Sequence, residues 1–132
     1  FRTNTVKERP FRILKIGLDR PREELYDRIN RRVLQMMADG LEEEARRVLA
    51  MPGGTTALQA IGYKELAPFL RGECSREQAV ENLKRETRRY AKRQLTWFRR
   101  DGRILWRERD RFPGDAALAA EAARQVEKTL EI

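Results

Sequence analysis

Basic side chains gathered on one helix can hold a polyanion, and Lys84 to Arg100 has that composition. The stretch reads KRETRRYAKRQLTWFRR and carries Lys84, Arg85, Arg88, Arg89, Lys92, Arg93, Arg99 and Arg100. Only Glu86 opposes them, so this stretch holds +7 of the chain's formal +8. A fold-neutral charge excess would be scattered. This one is a local field of the kind that attracts a polyanion. Arginine offers flat, bidentate contacts to phosphate, and lysine adds a mobile point charge. Tyr90 and Trp97 would stack on bases if exposed. The alternative is a solvated helix face with both aromatics in the core. The near absence of acids favours nucleic acid. A membrane-surface helix is a weaker rival, because Thr87 and Gln94 break the apolar stripe.

Two other groups have chemistry-bearing spacing. In Gln59-Ala60-Ile61-Gly62-Tyr63-Lys64-Glu65, Gly62 would let a backbone approach closely while Tyr63 and Lys64 contact a base and a phosphate. An ordinary helix break with Tyr63 packed inside is the plainer reading, and physics alone favours it. Arg28 and Arg32, four apart on one helix face, would clamp a phosphate or diphosphate. Surface ion pairs with Glu24 and Asp27 are the alternative and the commoner fate.

Other chemistry is excluded by composition. With no His there is no Ser-His or Cys-His couple and no His-based metal site. The single Cys74 cannot form an internal disulfide and reads as a loop residue. Cytosol is the default compartment. Pro52-Gly53-Gly54-Thr55-Thr56 has no Lys after its glycines and is no Walker sequence. No carboxylate pair stands out as general acid and base. No apolar run approaches the roughly 18 residues of a membrane span. The chain has 132 residues and no initiator Met, which leads to the expectation of a fragment or a trimmed chain.

The elements that must position these residues are mostly helical. Residues 1–10 read as a loop and 11–18 as a strand. Helices are expected at about 21–38, 41–50, 57–70, 76–98 and 115–130, and a second strand at 103–107. Leu25, Ile29, Val33 and Met36/Met37 give the first helix its inward face, and Leu41, Ala45, Val48 and Leu49 the second. Ser75 and Gln78 fit a capping box that opens the long basic helix. Its stripe reads Ala79/Val80, Leu83, Thr87, Tyr90/Ala91, Gln94 and Trp97/Phe98. The last helix would turn Ala117, Leu118, Ala122, Val126 and Leu130 inward. Each strand lacks an evident neighbour, which suggests a sheet completed by further chain. The fold class is thus mainly α with one or two strands.

Three stretches together resemble the tRNA dimethylallyltransferase, or tRNA isopentenyltransferase, family. They are Leu25-Tyr26-Asp27-Arg28-Ile29-Asn30-Arg31-Arg32-Val33 with Met37 and Gly40-Leu41-Glu42-Glu43-Glu44, then Gln59 to Glu65, then Thr87 to Arg99. The resemblance covers roughly residues 11–107. It implies transfer of a dimethylallyl group from its diphosphate to N6 of the adenosine 3′ of the anticodon. It also implies an α/β core like that of P-loop kinases, to which the strands would belong, with a helical insertion domain. The ATP-type phosphate loop and a catalytic aspartate lie in the family's N-terminal half, which this sequence lacks. The chain would then be the C-terminal portion, 11–132, with no catalytic residue of its own and inactive alone.

By matched position, the resemblance implies tRNA contacts at Gln59, Ala60, Ile61, Gly62, Tyr63 and Lys64. It implies a second set at Lys92, Arg93, Gln94, Leu95, Thr96, Trp97, Phe98 and Arg99. Either Arg28 or Arg32 would meet the substrate diphosphate. Mg2+ on that diphosphate is implied, with its site mainly outside this chain. The expected partners are a tRNA anticodon stem-loop and dimethylallyl diphosphate, with no membrane, for a cytoplasmic monomer. The alternative is a non-catalytic RNA-binding helical module.

Overall fold

The computed structural model describes residues 12–52 and 59–130. Their order is β1 (Lys15–Asp19), α1 (Arg22–Ala38), α2 (Leu41–Ala50), α3 (Tyr63–Leu70), α4 (Arg76–Phe98), β2 (Ile104–Glu108), a 3-10 turn (Arg109–Arg111) and α5 (Asp115–Leu130). The expected loop 1–10, Phe11 of the first strand and the start of the helix expected at 57–70 lie outside the described residues. The chain divides into two compact units. One holds β1, β2 and α5. The other, Pro21–Phe98, holds α1 to α4 and is inserted in sequence between the strands.

In the helical unit, spacing on each helix delivers one apolar face. Val33 and Met37 from α1, Ala45 from α2, Leu66 from α3, and Ala79, Val80 and Leu83 from α4 form the buried cluster. Met36, Leu41, Tyr63, Phe69, Leu70 and Cys74 pack against it half-buried. Cys74 is thus a loop residue that also seals the core. The α1–α2 turn needs Gly40, whose φ is 104°. α4 opens with the capping box its sequence predicts. Gln78 N–H donates to Ser75 Oγ at 3.1 Å, and Ser75 N–H donates to Gln78 Oε1 at 2.9 Å. α3 begins at Tyr63, and the expected start near 57 lies outside the described residues. Gly62 has φ 108°, which no right-handed helix accommodates, so the helix starts after it.

The inward stripe of α4 is the main departure from expectation. Ala79, Val80 and Leu83 are buried, but the line then continues through Thr87, Ala91 and Leu95, all half-buried. Tyr90, Gln94, Trp97 and Phe98, expected inside, are exposed. Each four-residue step from Leu83 through Thr87 and Ala91 to Leu95 carries the covered line about 40° further around the helix, at 3.6 residues per turn. Tyr90, Gln94 and Trp97 stay on the straighter line of alternating three- and four-residue steps, which is left uncovered past Leu83.

In the sheet unit, β1 and β2 pair in parallel, Lys15 opposite Ile104 through Asp19 opposite Glu108. Each supplies the neighbour that the other lacked in the sequence reading. Both strands are shifted from expectation, because pairing sets their limits. β2 starts only after the Asp101–Arg103 turn, where Ile104 N–H donates to Asp101 O, and Arg12 to Leu14 lie before the first paired residue. Gly17 faces Trp106 across the ladder. A Cβ built on Gly17 would lie 2.6 Å from Trp106 Cε3 and 2.8 Å from Ile104 Cγ2. The indole therefore occupies the space where a side chain would stand.

Asp101 organises the turn into β2. It accepts from Arg103 N–H at 3.0 Å, from Arg103 Nε at 3.0 Å, and from Lys15 Nζ at 2.6 Å. These cations, Arg103 first and then Lys15, hold its carboxyl far below the usual carboxylate range. In α5, Ala117, Leu118 and Ala122 are half-buried, whereas Val126 and Leu130, expected inward, are exposed. The buried residue of that helix is Gln125, whose amide donates to Glu121 at 2.8 Å. An amide with a partner can be buried without an unpaired polar group.

Two tests follow from this packing. Gly17→Ala should destabilise the chain by about 1–3 kcal/mol, the usual cost of overpacking, read as a shift in the urea midpoint. An unchanged midpoint would mean that Trp106 moves freely. Asp101 has a depressed folded-state pKa, so its contribution is present above the unfolded value of about 3.9 and is lost as pH falls below it. Titration by circular dichroism from about pH 6 to about pH 2 should show stability falling below about pH 4, and less steeply in Asp101→Asn. Identical acid profiles would remove Asp101 from this role.

Candidate nucleic-acid interface

The basic stretch lies on α4 and the residues just after it. A helix of 23 residues rises about 35 Å, and the eight residues of α3 only about 12 Å. Leu83 is the last buried residue of α4, so Phe98 lies about 22 Å further along the axis. Beyond Leu83 the helix changes character, from core element to exposed basic and aromatic rod.

The cations of the stretch are held in three ways. Several are already engaged. Lys84 pairs with Glu81 at 3.1 Å and Arg89 with Glu86 at 2.9 Å. Arg85 donates to Asn82. Arg88 Nη1 donates to Asn30 Oδ1 on α1 at 2.7 Å, in a part-buried bond. The side chains of Lys92, Arg93 and Arg100 are exposed and have no hydrogen bond or ion pair with other described residues. Arg99 differs from both groups. Its Nη2 donates to Asp19 Oδ2 at 2.7 Å, and its guanidinium carbon is 5.9 Å from the Trp106 ring centroid.

The aromatics stand beside the free cations. Trp97 and Phe98 meet edge to face, with centroids 4.9 Å apart and planes at 83°. Their exposures are 50% and 43%, and Tyr90 is 46% exposed. Large apolar rings left this open next to unpartnered cations are suited to stacking on bases. Two members of the segment are occupied elsewhere. Leu95 is half-buried, and the Thr96 hydroxyl donates to Lys92 O at 3.0 Å.

The Gln59–Lys64 segment is exposed at Gln59, Ala60 and Ile61, buried at Gly62, and half-buried at Tyr63. Gly62 N–H donates to Glu65 Oε1 at 2.8 Å, and Glu65 is itself 8% exposed. The Tyr63 hydroxyl donates to Glu44 on α2, and that bond first, then burial, raises the pKa of Tyr63. Tyr63 thus packs half-buried against the core, while Gln59, Ala60, Ile61 and Lys64 face solvent.

Arg28 and Arg32 are exposed, and their side chains have no hydrogen bond or ion pair among the described residues. Asp27 pairs instead with Arg31 at 2.9 Å, and Glu24 has a partner of its own. The sequence reading missed Asn30, Asp19, Glu44 and Glu65. Glu65, three residues after Gly62, carried a legible cap spacing. The other three join residues far apart in the chain and had no local signal. Among the described residues, no three His, Cys, Asp or Glu gather to hold a metal ion. No helix among them is long and apolar enough to cross a membrane.

Comparison with known proteins fits this arrangement. The family model described as IPP transferase matches residues 1–101. The chain is 55% identical over 106 residues to tRNA dimethylallyltransferase 2 of Parabacteroides distasonis, covering 80% of this chain and 35% of that protein. It is 48% identical over 122 residues to tRNA dimethylallyltransferase of Desulforamulus reducens, covering 92% of this chain and 43% of that one. Its structure is similar to the crystal structure of tRNA delta(2)-isopentenylpyrophosphate transferase from Staphylococcus epidermidis. There the TM-score is 0.77 at 40% identity, over 87% of this chain and 38% of that chain. The chain therefore spans less than half the length of these relatives.

Exposure makes packing and binding separable on α4. Leu83→Ala, at a fully buried site, should cost about 2–5 kcal/mol of stability. Trp97→Ala should cost no more than about half the 3–5 kcal/mol of a buried aromatic. Chemical denaturation of both variants checks this, and an equal loss would place Trp97 in the core.

Proposed function

The chain belongs to the IPP transferase family, and from that membership we propose that it is the tRNA-docking part of a tRNA dimethylallyltransferase. The proposed reaction joins N6 of the adenosine 3′ of the anticodon to C1 of the dimethylallyl group. The C1–O bond breaks, diphosphate leaves with its electrons, and N6 loses a proton to a base outside this chain. The observation that carries the docking role is the solvent-facing end of α4. There the Lys92 and Arg93 side chains have no partner among the described residues, beside the open rings of Trp97 and Phe98.

In this reading the anticodon stem-loop lies along α4. Lys92, Arg93 and Arg99 meet phosphates, while Trp97 and Phe98 support bases by stacking. Gln59, Ala60, Ile61 and Lys64 contact the same RNA, with Gly62 and Tyr63 shaping their backbone. The target base must leave its stack, because a stacked adenine hides its reacting edge. Arg28 or Arg32 meets the diphosphate, where a fixed guanidinium stabilises the charge that grows on the leaving oxygen. The described residues do not form a cage for Mg2+. A single copy suffices for this role, and a tRNA substrate places the work in the cytoplasm.

The test uses the full-length protein, labelled dimethylallyl diphosphate and an anticodon stem-loop RNA. Prenyl transfer to the RNA is expected. Lys92→Ala/Arg93→Ala should weaken RNA binding and reduce the salt dependence of log K by about 0.7–0.9 for each phosphate that is no longer neutralised. Unchanged affinity across several salt concentrations would show that the RNA face lies elsewhere. RNA binding without any transfer would favour the non-catalytic module.

A further inference from the structure

Arg99 is held differently from the other cations of the basic stretch. Its Nη2 donates to Asp19 Oδ2 at 2.7 Å, and its guanidinium lies over Trp106. Asp19 is itself oriented, because its Oδ1 accepts the Arg20 N–H at 2.9 Å. The next residue is anchored too, with Arg20 Nη1 donating to Asp110 Oδ1 at 2.8 Å. Trp106 is seated by the missing side chain of Gly17, its ladder partner. Two contacts outside α4, from Asp19 and Trp106, thus set one guanidinium. Its side chain still keeps 48% of its surface exposed.

On charge alone, Asp19 should oppose a polyanion by cancelling Arg99. Geometry argues the reverse. A guanidinium has five N–H donors in a planar fork, and the Asp19 bond uses one of them. A free arginine loses considerable rotamer freedom when it is fixed on a phosphate, and one already held loses less. Resting on the docking reading above, we propose that Asp19 is a positioning residue that holds the Arg99 guanidinium ready for an RNA phosphate. Lys92 and Arg93 contribute mobile charge; Arg99 contributes a fixed contact.

The sign of one substitution separates positioning from charge. In the full-length protein, Asp19→Ala removes a negative charge, yet binding of the anticodon stem-loop RNA should weaken about threefold to tenfold. Asp19→Asn keeps the shape and an acceptor oxygen, and should fall between wild type and Asp19→Ala. In an Arg99→Ala background, Asp19→Ala should have no further effect on affinity, whereas a merely structural role would weaken binding there as well. Thermal midpoints measured alongside account for any loss of fold. If Asp19→Ala does not fold, Asp19→Asn decides, since it should still bind more weakly than wild type. Unchanged or tighter binding by the Asp19 variants overturns the proposal while the docking reading stands. A wild-type protein that does not bind the RNA overturns both.

Discussion

Parallel pairing of β1 with β2 is the constraint on which the chain's organisation rests. Two parallel strands cannot be joined by a hairpin; the connection must travel back to the starting end before the second strand begins. Here everything from Pro21 to Phe98 serves as that connection, and it has grown into a four-helix unit with its own core. The pairing also dictates small residues and charges. Gly17 is bare because the Trp106 ring covers it, and Asp101 gathers Lys15 and Arg103 where the chain enters β2.

The longest element serves two purposes in succession. The first turns of α4 close the helical core through Ala79, Val80 and Leu83. Later turns carry exposed cations and rings on a frame that the core holds still. This division explains why charge is concentrated rather than scattered. The core-facing turns carry Glu77 and Glu81 against Arg76, and the acids that face Lys84 and Arg89 lie at three-residue spacing on the helix itself. Past Arg89 the described residues supply no acid on α4, and the cations stay open.

Local signals in the sequence carried much of this. The Ser75–Gln78 box, the start of α2 after Gly40 and the extent of α4 are written in a few adjacent residues each. The motif segments were legible by their types and spacing. What was not legible came from pairing across the chain. The partners of the two strands, the Asn30–Arg88 bond and the Asp19–Arg99 bond join residues that no local pattern connects. The inward face of α4 failed for a subtler reason. Tyr90, Trp97 and Phe98 are apolar enough to be read as core, and only the neighbours of a helix decide which of its apolar residues are covered.

The entry to α3 has a consequence for association. Gly62 is held by Glu65, and Tyr63 by Glu44, so the downstream end of the exposed residues Gln59 to Ile61 is anchored by side chains from two helices. Conformational entropy at that end is lost when the chain folds. A partner that closes on these residues meets backbone that has one end already ordered, and association spends correspondingly less of its binding energy on ordering it.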